Sequence, residues 1–195
     1  MTAITPLEFI HKKGTFGDHH QKNESDLLKI LEVKDLNIIQ VVQYKKSKLS
    51  IKDIKIGNLE IPEQRSAVIS DNNTRILWSA PNIWLIVSRK ENITESIKKS
   101  CIETDFGITD ISHSRAVIKI VGLNAKEVLK KGSPINFDEI GVDRCVGTTF
   151  HGISIIIDSL SENPNTFNLL TLRSFGESFY HHITDSALEF GYVGV

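Results

Sequence analysis

Cysteine is scarce in this chain. The 195 residues hold two, Cys101 and Cys145, far apart and without a Cys-x-x-Cys pair, which excludes zinc-ribbon, iron–sulfur and disulfide-scaffold architectures. Both thiols read as small buried hydrophobes. Long apolar runs are missing too: stretches such as 153–157 fall well short of the roughly 20 residues a transmembrane helix needs, so no membrane span is expected. Nor does one sign of charge dominate. With 23 Lys and Arg against 24 Asp and Glu the net charge is −1, no global field attracts a polyanion, and nucleic acid is not an expected partner. Gly-x-Gly-x-x-Gly, a phosphate loop and Gly-x-Ser-x-Gly are all absent, which argues against dinucleotide binding and acyl transfer by this chain. At the start of the sequence Lys12 and Lys13 follow rather than precede the sparse apolar residues, the reverse of a secretory leader, so a cytoplasmic location is expected.

What is present is an ordinary globular composition, 40% hydrophobic and 24% charged, able to support a core without staples. Asn92, Asn124 and Ser174 each precede a Glu by three positions, the spacing of a capping box, and so mark three helix starts. The last helix carries Phe175, Phe179, Ile183, Ala187 and Phe190 on one face and stops at Gly191; the Asn124 helix turns Ala125, Val128 and Leu129 inward. Strands are expected at 37–42, 67–70, 75–79, 83–88, 115–121, 145–150, 153–157 and 166–172. Turn-forming residues separate them, so neighbours should pair as antiparallel hairpins.

Taken in order, with a weak helix over 49–56, the elements repeat as β-α-β-β-β-α in each half. The fold class is α+β, with two similar lobes of antiparallel sheet covered by helices on one face, forming one compact domain. The expected divisions are a flexible N-terminal arm over 1–24, a first lobe over 25–104 and a second over 105–195.

No constellation specifies a reaction. Seven histidines occur (His11, His19, His20, His113, His151, His181 and His182). His181 and His182 diverge by about 100° on a helix and no His-x-x-x-His spacing exists, so no metal site is expected. The string Asp110-Ile111-Ser112-His113-Ser114-Arg115 admits two readings. His113 and Arg115 suit an anionic or carboxylate-bearing partner; alternatively Asp110 and Ser112 close local backbone while Arg115 pairs with an acidic neighbour. Trp78 and Trp84 at a hairpin read as core aromatics with one polar edge. Arg173 is either a surface residue at a helix start or a ligand contact.

Several strings resemble the gamma subunits of heterotetrameric sarcosine oxidases. Trp78-Ser79-Ala80-Pro81-Asn82-Ile83-Trp84-Leu85-Ile86-Val87 is similar to their "lGPdEWLLv" segment, with Ala80 for Gly and Asn82-Ile83 for Asp-Glu. Asp110-Ile111-Ser112-His113-Ser114-Arg115 through Gly122 is similar to "tDlSHaravlrlsG". Lys131-Gly132-Ser133-Pro134-Ile135-Asn136-Phe137 resembles "KGcplDl", and Arg173-Ser174-Phe175-Gly176-Glu177-Ser178-Phe179 resembles "RSfaeSl". The matches are collinear. They imply a fold like the substrate domain of the glycine-cleavage T-protein and a role as a non-catalytic structural subunit. The complex would oxidatively demethylate sarcosine to glycine and transfer the one-carbon unit to tetrahydrofolate. Alpha, beta and delta subunits would be the partners, holding FAD, FMN, NAD, tetrahydrofolate and zinc, with no cofactor on this chain. Trp84, His113, Arg115 and Arg173 are then the candidate groove or partner-contact residues. The alternative is a stand-alone folate-binding or aminomethyltransferase-like module.

Overall fold

The computed structural model describes residues 4–195, whose packing forms two compact units. One comprises residues 35–113 with 143–145; the other gathers the chain through Lys34, 114–142 and 146–195. No helix among the described residues is long and apolar enough to cross a membrane.

The first unit is built on a five-stranded antiparallel sheet. Its strands are β3 (Asn37–Gln43), β6 (Val68–Ser70), β7 (Thr74–Ala80), β8 (Ile83–Ser88) and β9 (Phe106–Asp110), in the order β6-β7-β8-β3-β9. Turn chemistry sets the hairpins: Asp71 Oδ1 accepts from Asn73 N at 2.8 Å and Thr74 N at 2.7 Å, and Asn82 turns β7 into β8 at φ 61°. Alternation puts Ile39, Val41, Ile76 and Ile86 on one face, where they pack with Ile93, Ile97 and Cys101 from helix α1 (Ile93–Ser100) and its C-cap. Ile38, Leu77, Leu85 and Val87 on the other face are buried as well. The helix expected over 49–56 does not form. A 3-10 turn, Ile51–Asp53, leads into the small hairpin of β4 (Lys55–Ile56) and β5 (Leu59–Glu60); Ile54 and Ile56 are buried two positions apart, a spacing that a strand turns to one face and a helix to opposite sides.

The second unit carries a seven-stranded sheet. Its members are β1 (Gly14–Phe16), β2 (Leu28–Glu32), β10 (Arg115–Val121), β11 (Cys145–Phe150), β12 (Ile153–Glu162), β13 (Asn165–Leu172) and β14 (Tyr192–Gly194), ordered β1-β14-β2-β10-β13-β12-β11. Helices α2 (Ala125–Lys130) and α3 (Gly176–Ala187) share a core with Ile118, Ile120, Ile155, Ile157, Phe167 and Leu169. Ala125, Val128 and Leu129 of α2 are all enclosed, as their spacing predicts. β14 pairs with β2 in parallel, while the other sheet neighbours given a register are antiparallel.

The expected caps do not form as side-chain bonds. Asn92 and Asn124 do sit at N-cap positions, but at ψ 21° and 8° their backbone is already near-helical, which removes the extended geometry a capping side chain needs. Their carbonyls instead accept from Ser96 N at 3.2 Å and Val128 N at 3.0 Å. A 3-10 turn, Arg173–Phe175, precedes α3, so the α-helix begins at Gly176 rather than just after Ser174. The tighter turn rotates Phe175 off the buried face, leaving it 46% exposed.

Strand order shows the two like halves and also how they are interleaved. The sheets share a common run, β6-β7-β8-β3 in one and β11-β12-β13-β10 in the other. Each then gains a strand from the other half of the sequence: β9 pairs with β3, and β2 pairs with β10. This exchange places the unit boundaries near residues 35 and 113, in contrast with the divisions expected at 24 and 104. The N-terminal segment expected as an arm includes β1, paired with β14, and a turn that encloses Leu7.

Candidate functional site

The polar string after β9 resolves into a closed local network. Asp110 Oδ1 accepts from Ser112 N at 2.9 Å and from Ser112 Oγ at 2.6 Å, and the same hydroxyl accepts from Ile38 N at 2.9 Å. The Ser112 hydroxyl and then its N–H hold the Asp110 carboxyl below the ordinary carboxylate range. His113 is exposed on the 3-10 turn Ser112–Ser114. Arg115 opens β10 opposite Leu172 and is half-buried, with its Nε enclosed and unpartnered. Burial lowers its pKa. No acidic partner of Arg115 is found among the described residues, so the ion pair of the second reading is not formed. The structure therefore joins Asp110 to Ser112, while His113 and Arg115 belong to different units.

Trp84 and Arg173 are committed within the chain. Trp84 is 3% exposed and donates from Nε1 to the Pro62 carbonyl at 2.8 Å, the polar edge expected of it, so its ring is unavailable as a partner contact. Trp78 stands opposite it across β7 and β8. The Arg173 guanidinium donates to the Ile4 carbonyl, strapping the N-terminal segment to the start of α3.

Histidines contribute contacts that spacing did not foreshadow. His11 joins the Tyr180 hydroxyl at 3.1 Å and the Val195 carbonyl at 2.8 Å, linking segments 169 and 184 positions away. The rings of His151 and His182 lie 5.0 Å apart. A cavity of about 400 Å³ beside α3 is lined by His181, His182, Thr184, Asp185, Leu188 and Tyr192, so the adjacent histidines reach one cavity despite diverging. No group of three or more His, Cys, Asp or Glu able to hold a metal ion occurs among the described residues. Cys101 and Cys145 are both buried; burial pushes the Cys101 thiol up to about 11, and Cys145 Sγ lies 3.0 Å from the Trp78 carbonyl.

Comparison with known proteins places these features in a lineage. The profile of the family described as "Sarcosine oxidase, gamma subunit family" matches residues 52–189. Among solved structures, a heterotetrameric sarcosine oxidase from Corynebacterium sp. U-96, in complex with pyrrole 2-carboxylate, is similar at TM-score 0.84 and 18% identity, over 97% of this chain and 97% of that one. The glycine cleavage system aminomethyltransferase T from Bartonella henselae is similar at TM-score 0.60 and 10% identity; 82% of this chain covers 46% of that one. At such identities the likeness is one of fold. A search of curated sequences finds no match.

Proposed function

The chain belongs to the sarcosine oxidase gamma subunit family, and on that premise we propose that it is the non-catalytic structural subunit of a heterotetrameric sarcosine oxidase. In this reading the complex oxidatively demethylates sarcosine to glycine and passes the one-carbon unit to tetrahydrofolate. Alpha, beta and delta partners hold FAD, FMN, NAD, tetrahydrofolate and zinc, and the assembly works in the cytoplasm. The family match over residues 52–189 is the observation that carries the reading. The polar groups of Trp84, Asp110, Ser112 and Arg173 support it, being engaged in holding this chain's own backbone.

Purification of the tagged chain from its own cells, with mass spectrometry of what accompanies it, tests the reading. Two flavin-dependent oxidoreductase chains and a small zinc-binding chain in fixed ratio are expected. Recovery of the chain alone, with tetrahydrofolate binding seen by calorimetry, would instead establish a folate-binding aminomethyltransferase-like module.

A further inference from the structure

A sheet edge is a row of unpaired backbone donors and acceptors, and proteins shorten, cover or charge such edges. Of the four edges of the two larger sheets, three are treated in this way. β1 is 3 residues long. β6 is covered by the 143–145 segment, through Val68 N–H to Asp143 O at 3.0 Å and Cys145 N–H to Ser66 O at 2.8 Å. β11 is closed at its far end by Ser133 Oγ–H to Thr149 O at 2.8 Å and by His151 N–H to Gly132 O at 2.9 Å. β9 is neither shortened nor covered: it runs 5 residues without proline or lysine, in unbroken register with β3, and its one charged residue, Asp110, stands at its end.

The phase of β9 identifies its free groups. Tyr44 N–H bonds Asp105 O at 2.8 Å and Ile111 N–H bonds Ile38 O at 2.9 Å, so the odd-numbered residues between them turn their backbone groups toward β3. The Ile108 N–H and C=O, the Phe106 C=O and the Asp110 N–H therefore point outward. No hydrogen bond reaches them among the described residues.

The seven-stranded sheet shows what the equivalent position accepts. β2 flanks β10 as β9 flanks β3, and the outer edge of β2 is filled by β14, from Tyr192 opposite Leu28 to Gly194 opposite Ile30. We propose that the outer edge of β9 receives an extended strand from another chain of the assembly, extending the five-stranded sheet as β14 extends the seven-stranded one. This rests on the subunit reading above. Glu103 and Asp105 precede the edge and Asp110 ends it, so the incoming strand carries Lys or Arg near its ends. A second copy is disfavoured, since two-fold pairing of β9 with itself runs antiparallel and sets the acids of one end against those of the other.

Residue-resolved amide exchange on the purified complex and on the full chain alone tests the proposal. In the chain alone Gly107 and Thr109 should exchange slowly and Ile108 and Asp110 fast; in the complex Ile108 and Asp110 should slow by about 100-fold or more. Unchanged exchange at those two amides, in a complex whose other chains are verified by mass, would overturn the strand addition and leave the subunit reading intact. Protection already present in a dimer of this chain would make a second copy the occupant and overturn it equally. Recovery of no other chain at all would remove both readings.

Discussion

Trp84 shows how one polar atom anchors a core aromatic. Trp84→Phe removes the donor and leaves the Pro62 carbonyl enclosed, at an expected cost of about 2 kcal/mol in urea unfolding. A loss below about 0.5 kcal/mol would mean that water replaces the indole N–H. Asp110 gives a pH signature. Its folded pKa is depressed, so its stabilisation is present above the unfolded value of about 4 and is lost as pH falls through the lower folded value. Asp110→Asn should lower the thermal midpoint at pH 6, and the gap from the parent should close toward pH 2.5. The Asp110–Ser112 closure was legible in the sequence because it joins residues two apart, and the polar edge of Trp84 because an indole N–H calls for an acceptor, although which one, Pro62, lies 22 positions away. The engagement of Arg173 was not, since its acceptor, Ile4, lies at the opposite end of the chain.

At the scale of elements, α3 is the clearest case. Phe179 is fully buried against the sheet and Phe175 is not, although both occupy the same helical stripe on paper. Phe179→Ala should cost about 3 kcal/mol or more, and Phe175→Ala within about 0.5 kcal/mol, in matched chemical denaturation. Equal costs would place the start of the helix at Ser174 after all. The helix ends at Ala187, short of the stop expected at Gly191; Gly191 closes the turn that follows it at φ 72°, where a Cβ would meet the Asp18 carbonyl oxygen, so Gly191→Ala should lower stability by more than about 1 kcal/mol. Strands 83–88, 115–121 and 145–150 were readable to the residue because their apolar runs are bounded by turn formers. β1 and β14 were not: each has 3 residues, includes a glycine and is specified by its neighbour in the sheet.

Across the whole chain, the ends are structural. Leu7 is fully buried with Ile30 and Phe179 in the core of the second unit, while Phe9, in the same turn, is 83% exposed. Leu7→Ala should cost about 3 kcal/mol and Phe9→Ala almost nothing, as measured by thermal and urea unfolding. Were the N-terminal segment a free arm, neither change would register. The exchange of β2 and β9 between the halves ties each sheet to both halves of the sequence, so neither 25–104 nor 105–195 contains a complete sheet.

The sequence by itself determined the class of fold, the hairpins, the sites of the three helices and the family, since these rest on periodicity, turn chemistry and collinear local strings. Only the tertiary structure decided which strand adds to which sheet, where the units divide, and which polar side chains are spent on the chain's own backbone. Those outcomes depend on pairings between segments distant in sequence. A short strand such as β2 or β9 pairs as well with either sheet by its local pattern, and packing makes the choice.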